Sequence, residues 1–167
     1  VLAAFEADDT DVANLGNEAV TITGGISVAD LNTLADKTTG TITATITDTS
    51  AATLKTISES GHNLTITLAD TTSSVADITA IDALTAAIVT VTSTTISGTN
   101  TELLALNDLK VAGSVSYGHP GMTVTNAVTV SEANAINALT TDSTTTATIS
   151  ETTEAALDDL DLNDDGT

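Results

Sequence analysis

Cysteine, arginine and tryptophan are missing from this chain, Pro120 is its one proline, and Phe5 and Tyr117 are its only aromatic rings. Each absence excludes something. Without cysteine there is neither a disulfide framework nor thiolate chemistry. Without large rings, a core must be built from Ile, Leu, Val and Ala, which suit a thin interior between closely stacked layers. Three lysines stand against 23 acidic residues, for a formal charge of −20. Phosphate binding needs clustered cations and Arg forks, so nucleic acid is excluded as a partner, and anionic lipid is disfavoured for the same reason. No run approaches the roughly 18 apolar residues of a spanning helix, so no membrane insertion is expected. The opening "VLAAFEADD" is neither a Met start nor a signal peptide, and it reads as a processed or cut end.

Threonine is the commonest residue, and it is patterned. Five runs alternate Thr with aliphatic side chains: residues 20 to 23, 41 to 47, 64 to 68, 88 to 92 and 144 to 150. Period-two alternation of β-branched residues is the signature of a half-buried strand. Between them lie short segments with apolar residues three apart, such as Leu31 and Leu34, Leu54 and Ile57, Ile78 and Ile81, Leu103 and Leu106, Ile136 and Leu139, and Leu157 and Leu160. Each predicts one or two helical turns, with Ser27, Ser74 and Ser131 placed as N-caps. Between Leu106 and Leu139 the rhythm lengthens around a Gly-His-Pro-Gly turn flanked by two strand candidates.

A unit of one strand and one short helix cannot bury its own apolar face, so the units must stack. The expected fold is a repeat architecture, a parallel β-solenoid with a short helix in each coil, over residues 1–160, followed by an acidic tail over 161–167. An Ig-like β-sandwich built from the same strands is the alternative.

The run "NLGNEAVTITGGISVADLNTLADKTTGTITATITDTSAATLKTI", residues 14 to 57, resembles the repeats of very large, Thr-rich surface proteins of marine cyanobacteria, of the surface-layer and motility-associated type. The resemblance implies an extracellular, cell-surface protein and brings no catalytic residues with it.

In a stacked fold the Ile and Ala of "TITATIT" face inward and Thr faces water. Thr43, Thr45, Thr65, Thr67, Thr90 and Thr92 would then form ladders on one flat face, which is the expected assembly face between copies. Such an array also resembles the ice-binding face of insect antifreeze solenoids, so recognition of ice, a glycan or a host envelope is the competing use. At the C-terminus, Asp161, Asn163 and Asp165 followed by Gly166 match the opening of an EF-hand-type loop, where alternate side chains in a tight turn converge on one cation. The closing ligands are missing. Asp8, Asp9 and Asp11 form a second acidic cluster, and calcium bridging these ends is the cofactor expectation.

His62 and His119 are the only imidazoles, and no nucleophile elbow, P-loop, dinucleotide fingerprint or HExxH is present. No catalytic activity is expected. The function expected is that of a structural protein which associates with copies of itself into a layer or filament with calcium assistance; the alternatives are a surface-recognition module and a virion fibre or decoration protein.

Overall fold

A computed structural model of the chain describes residues 16–140 and 143–160. Among these residues nine strands and six helices follow one another. They are β1 (Val20–Ile26), α1 (Val28–Ala35), β2 (Ile42–Ile46), α2 (Ala51–Leu54), β3 (Asn63–Leu68), β4 (Thr72–Ser74), α3 (Val75–Asp82), β5 (Val89–Val91), β6 (Thr95–Gly98), α4 (Asn100–Ala112), β7 (Val115–Tyr117), β8 (Gly121–Val128), α5 (Val130–Asn137), β9 (Thr145–Ile149) and α6 (Glu154–Leu157). A five-stranded sheet runs β1-β2-β3-β5-β7 and a four-stranded sheet runs β4-β6-β8-β9. Every pair is parallel.

The helices begin where the sequence supplies a hydroxyl. Ser27, Ser50, Ser74, Thr99 and Thr129 each accept the backbone N–H three residues on, which satisfies one of the free amides of the first turn. Thr99 with Glu102, and Thr129 with Glu132, close full capping boxes. Ser131 is therefore not a cap as expected: Thr129 takes that place because Glu132 stands three residues after it, and Ser131 lies exposed in the first turn of α5. Gly113, at φ 84°, ends α4 in the left-handed region that a side chain would disfavour.

One aliphatic cluster fills the space enclosed by the two sheets and the helices. Ile42, Ile46, Leu64, Ile66, Leu68 and Val89 enter from the first sheet, Ile96 and Met122 from the second, and Leu31, Leu54, Ile78, Leu103 and Ile136 from the helices. Alternation puts each strand's other side chains outward.

Both expectations for the fold class are corrected by this topology. An Ig-like sandwich pairs its strands antiparallel, and all the pairs here are parallel. A parallel β-solenoid requires equivalent coils. Here β1 and β2 belong only to the first sheet, the next three units give one strand to each sheet, and β9 belongs only to the second. Four of the helices, α1, α3, α4 and α5, are 8 to 13 residues long and carry the chain from one strand to the next. The chain is an α/β domain of two parallel sheets with strand-helix-strand connections of the Rossmann-like kind, and not a β-solenoid repeat protein. The alternation of Thr with aliphatics does not discriminate between these folds, because any strand with one face on the core and the other in water shows it. Strand order is sequential in both sheets, so neither has the reversal that opens a ligand crevice at a topological switch point.

Candidate binding face

The outward side of the first sheet carries the Thr residues singled out by the sequence. Thr45 and Thr65 pair in register, as do Thr67, Thr90 and Ser116, while Thr21 and Thr43 lead into Asn63. Neighbours in such a column lie about 4.8 Å apart, and alternate residues along a strand about 6.6 Å. Thr45, Thr65, Thr90 and Thr92 are exposed, and Thr43 and Thr67 are half-buried. All six predicted residues therefore meet on one surface. The surface is less uniform than a Thr ladder. β1 bulges between Thr21 and Gly25, Asn63 interrupts one column, and Ile88 stands 54% exposed two residues before Thr90.

Not all the hydroxyls face water alone. Thr92 donates to the Leu68 carbonyl at 3.2 Å and Thr47 to the Ile26 carbonyl at 3.2 Å, each reaching the preceding strand. Deeper in, Thr38 and Thr140 are buried and donate to the carbonyls of Glu18 and Pro120. His62 occupies a similar place. Its Nδ1 accepts the Ile42 N–H at 3.3 Å, leaving the ring proton of the neutral form on Nε2, 3.9 Å from the Glu59 carboxylate. One imidazole is thus committed to holding the backbone.

A second device, which sequence reasoning missed, links the units through their helix starts. The first amide of α1, on Val28, donates to Asp48 of the following unit at 2.7 Å. Ala51 donates in the same way to Asp70, Asn100 to Asn126 and Val130 to Glu151. Each acceptor pairs an amide that has no partner within the helix, and Asp48, Asp70 and Glu151 also offset the partial positive charge at the helix N-terminus. The sequence signal was an acidic or amide residue a few places before the next cap, too common a pattern to stand out alone.

Several carboxyls are held below their ordinary range. For Glu102 the cause is the Thr99 backbone N–H, then the Thr99 hydroxyl. Glu132 is lowered likewise by Thr129 and, more weakly, by Asn100. Asp77 is lowered by the hydrogen bond from Lys55, which joins α3 to the end of α2. Burial pushes the Tyr117 hydroxyl up, and Lys110 lies 4.1 Å from the centre of its ring. None of these groups lies on the hydroxyl face.

Charge is sorted between the surfaces. No Asp, Glu, Lys or Arg occurs in any of the described strands, although the chain carries a net −20. Among the described residues the charged side chains lie in helices and loops.

The predicted calcium ligands Asp161, Asn163, Asp165, Asp8, Asp9 and Asp11 lie outside the described residues. Among the described residues no group of three His, Cys, Asp or Glu side chains is arranged to hold a metal ion, and no helix is long and apolar enough to cross a membrane. No protein-family model, no curated protein and no solved structure matches the chain. Nothing among the described residues supports secretion, a surface layer or calcium binding.

Proposed function

We propose that this chain is a structural protein whose copies associate with one another through their sheet surfaces. The observation that carries the reading is the sorting of charge. Two copies of a strongly acidic chain repel over a Debye length of about 10 Å at 0.1 M salt. Contact through strands alone brings no like charges together, whereas contact through helices does. Among the described residues both parallel sheets end in edges without a partner strand, and unpaired backbone groups there favour strand-to-strand addition.

Sedimentation velocity and negative-stain electron microscopy of the purified chain, from low to 0.5 M salt, test the reading. Association that grows with concentration and with salt is the expected result. A chain that sediments as a single copy at its highest soluble concentration in every salt condition refutes it.

A second reading is favoured by one observation, the in-register columns Thr45–Thr65 and Thr67–Thr90–Ser116. They offer a flat, neutral array of hydroxyl and methyl groups to a neutral hydroxyl-rich surface such as a glycan or ice. Thermal hysteresis or glycan binding by single copies, abolished by Thr65→Lys with Thr90→Lys, would establish it.

A further inference from the structure

Two stretches of the chain make the same contacts. The elements β1, α1, β2 and α2 are matched in order by β8, α5, β9 and α6. The register slips between Thr21 and Gly25 in the first pair of strands and between Thr123 and Ala127 in the second. Ser27 and Thr129 cap the equivalent helices. Asn32 and Asn134 donate Nδ2 to the carbonyls of Thr56 and Asp159. Thr47 and Ser150 donate to the carbonyls of Ile26 and Val128, and Asp48 and Glu151 accept from Val28 and Val130. The offset between partners is constant except for one residue gained in the loop before β9.

What differs is the cover. Over β2 and α2 lie β3 and α3, with Ala44 in register with Leu64. Ala44, Ile46 and Leu54 are accordingly 4%, 4% and 0% exposed. Over β9 and α6 there is no described residue. Their counterparts Ala147 and Ile149 are only half-buried, and Leu157 is 42% exposed. Among the described residues the edge of β9 has no partner strand either. Thr144 accepts from Met122 and Ser150 donates to Val128, so in a parallel strand the alternate residues Thr145, Ala147 and Ile149 turn their N–H and C=O groups to the other side.

We propose that this surface is a docking site for a second copy of the chain, which enters through the edge of its own β1 that no described strand pairs. The first stretch shows what the surface takes: β3, which reads Leu64-Thr65-Ile66-Thr67. β1 reads Val20-Thr21-Ile22-Thr23, and its inward residues Val20 and Ile22 are themselves only partly covered. The contact therefore extends an interface the fold already makes between its own units, using aliphatic side chains in the same alternation and strands free of charge. It is heterologous, with β9 at one end of each copy and β1 at the other, and it propagates as a filament. The inference rests on the self-association reading above and gives that association its axis.

Ala147→Pro removes an edge N–H while leaving every bond from β9 to β8. Thr21→Pro does the same at β1, where the Val20 N–H is the one that bonds β2 through Thr41. Each variant alone is expected to lose filaments in the microscope and to raise the concentration for half-assembly about tenfold or more. Mixed, they are expected to form dimers and nothing longer, because A147P keeps a working β1 edge and T21P a working β9 edge. Should either proline prevent folding, judged by far-ultraviolet circular dichroism, Leu157→Asp at its exposed position replaces it with the same expected loss. Filaments that survive these changes but disappear with Thr65→Lys and Thr90→Lys overturn the end-on docking and leave self-association standing. A wild-type chain that never associates overturns both.

Discussion

Leu54 and Leu157 hold the same place, one at the end of α2 and the other at the end of α6, and truncating each to alanine separates a covered surface from an open one. Leu54 is fully buried. Removing its side chain loses the transfer energy of three carbons and leaves a cavity under β3 and α3, a combination that costs about 3 kcal/mol. In a domain of this size that lowers the melting temperature by roughly 10 °C. Leu157 is 42% exposed, so its truncation forfeits part of the burial and opens no closed cavity, a loss of about 1 kcal/mol. Urea unfolding followed by far-ultraviolet circular dichroism suits a chain with no tryptophan and a single tyrosine. It must be run dilute, where copies are separate. Raising the concentration should then widen the cost of Leu157→Ala, because wild-type copies that dock gain the contact the variant lacks. Equal losses at high dilution would refute the reasoning, since they would mean that β9 and α6 are covered within a single chain.

Three further outcomes are expected. Asp48→Ala strands the Val28 amide and should cost about 1 kcal/mol in urea unfolding, with Asp48→Asn recovering most of it because an amide oxygen can still accept. Glu102, Glu132 and Asp77 have folded-state values below their unfolded ones, so the stability they contribute is present above the unfolded values and is lost as pH falls through the folded ones; melting followed from pH 7 down should decline on the acid side of the ordinary carboxylate range and less so in Glu102→Gln with Glu132→Gln. Gly40→Ala places a Cβ against the Glu18 carbonyl, backbone that has little room to move, and should lower stability by about 1–3 kcal/mol by the same unfolding assay.

Strands and helices were legible here because each carries its own periodicity. The Thr and aliphatic alternation located β1, β2, β3, β5 and β9, and the three-residue spacing of Leu and Ile located every helix. Half of the second sheet, β4 and β6, was not legible. β4 and β6 are "TSS" and "TISG", too short and too polar to show alternation. Ser73 is buried with its hydroxyl paired to that of Ser93 at 2.6 Å, a long-range fact with no local trace. Without those strands, the units looked alike and an array of equivalent coils was the natural reading. The six Thr residues singled out from the sequence lie on one face of the first sheet, as alternation alone requires. The irregularities of that face were not legible, because the β1 bulge and the exposure of Ile88 depend on how neighbouring strands pair. The acceptors Asp48, Asp70, Asn126 and Glu151 escaped because their role is to a helix in another unit.

Acidic residues also hold the units together. Asp48, Asp70 and Glu151 each spend a negative charge on a helix amide of the neighbouring unit, where the dipole favours it. Charge is thereby drawn to the helix side of the molecule, and the strands are left to Thr, Val and Ile, which propensity alone would place there. A neutral sheet surface follows from building each unit onto the next. Since β9 and β1 keep the apolar alternation that joins units inside the chain, association between copies requires no feature beyond those that fold one copy, and only a blocked edge or a charge set into a strand should stop it.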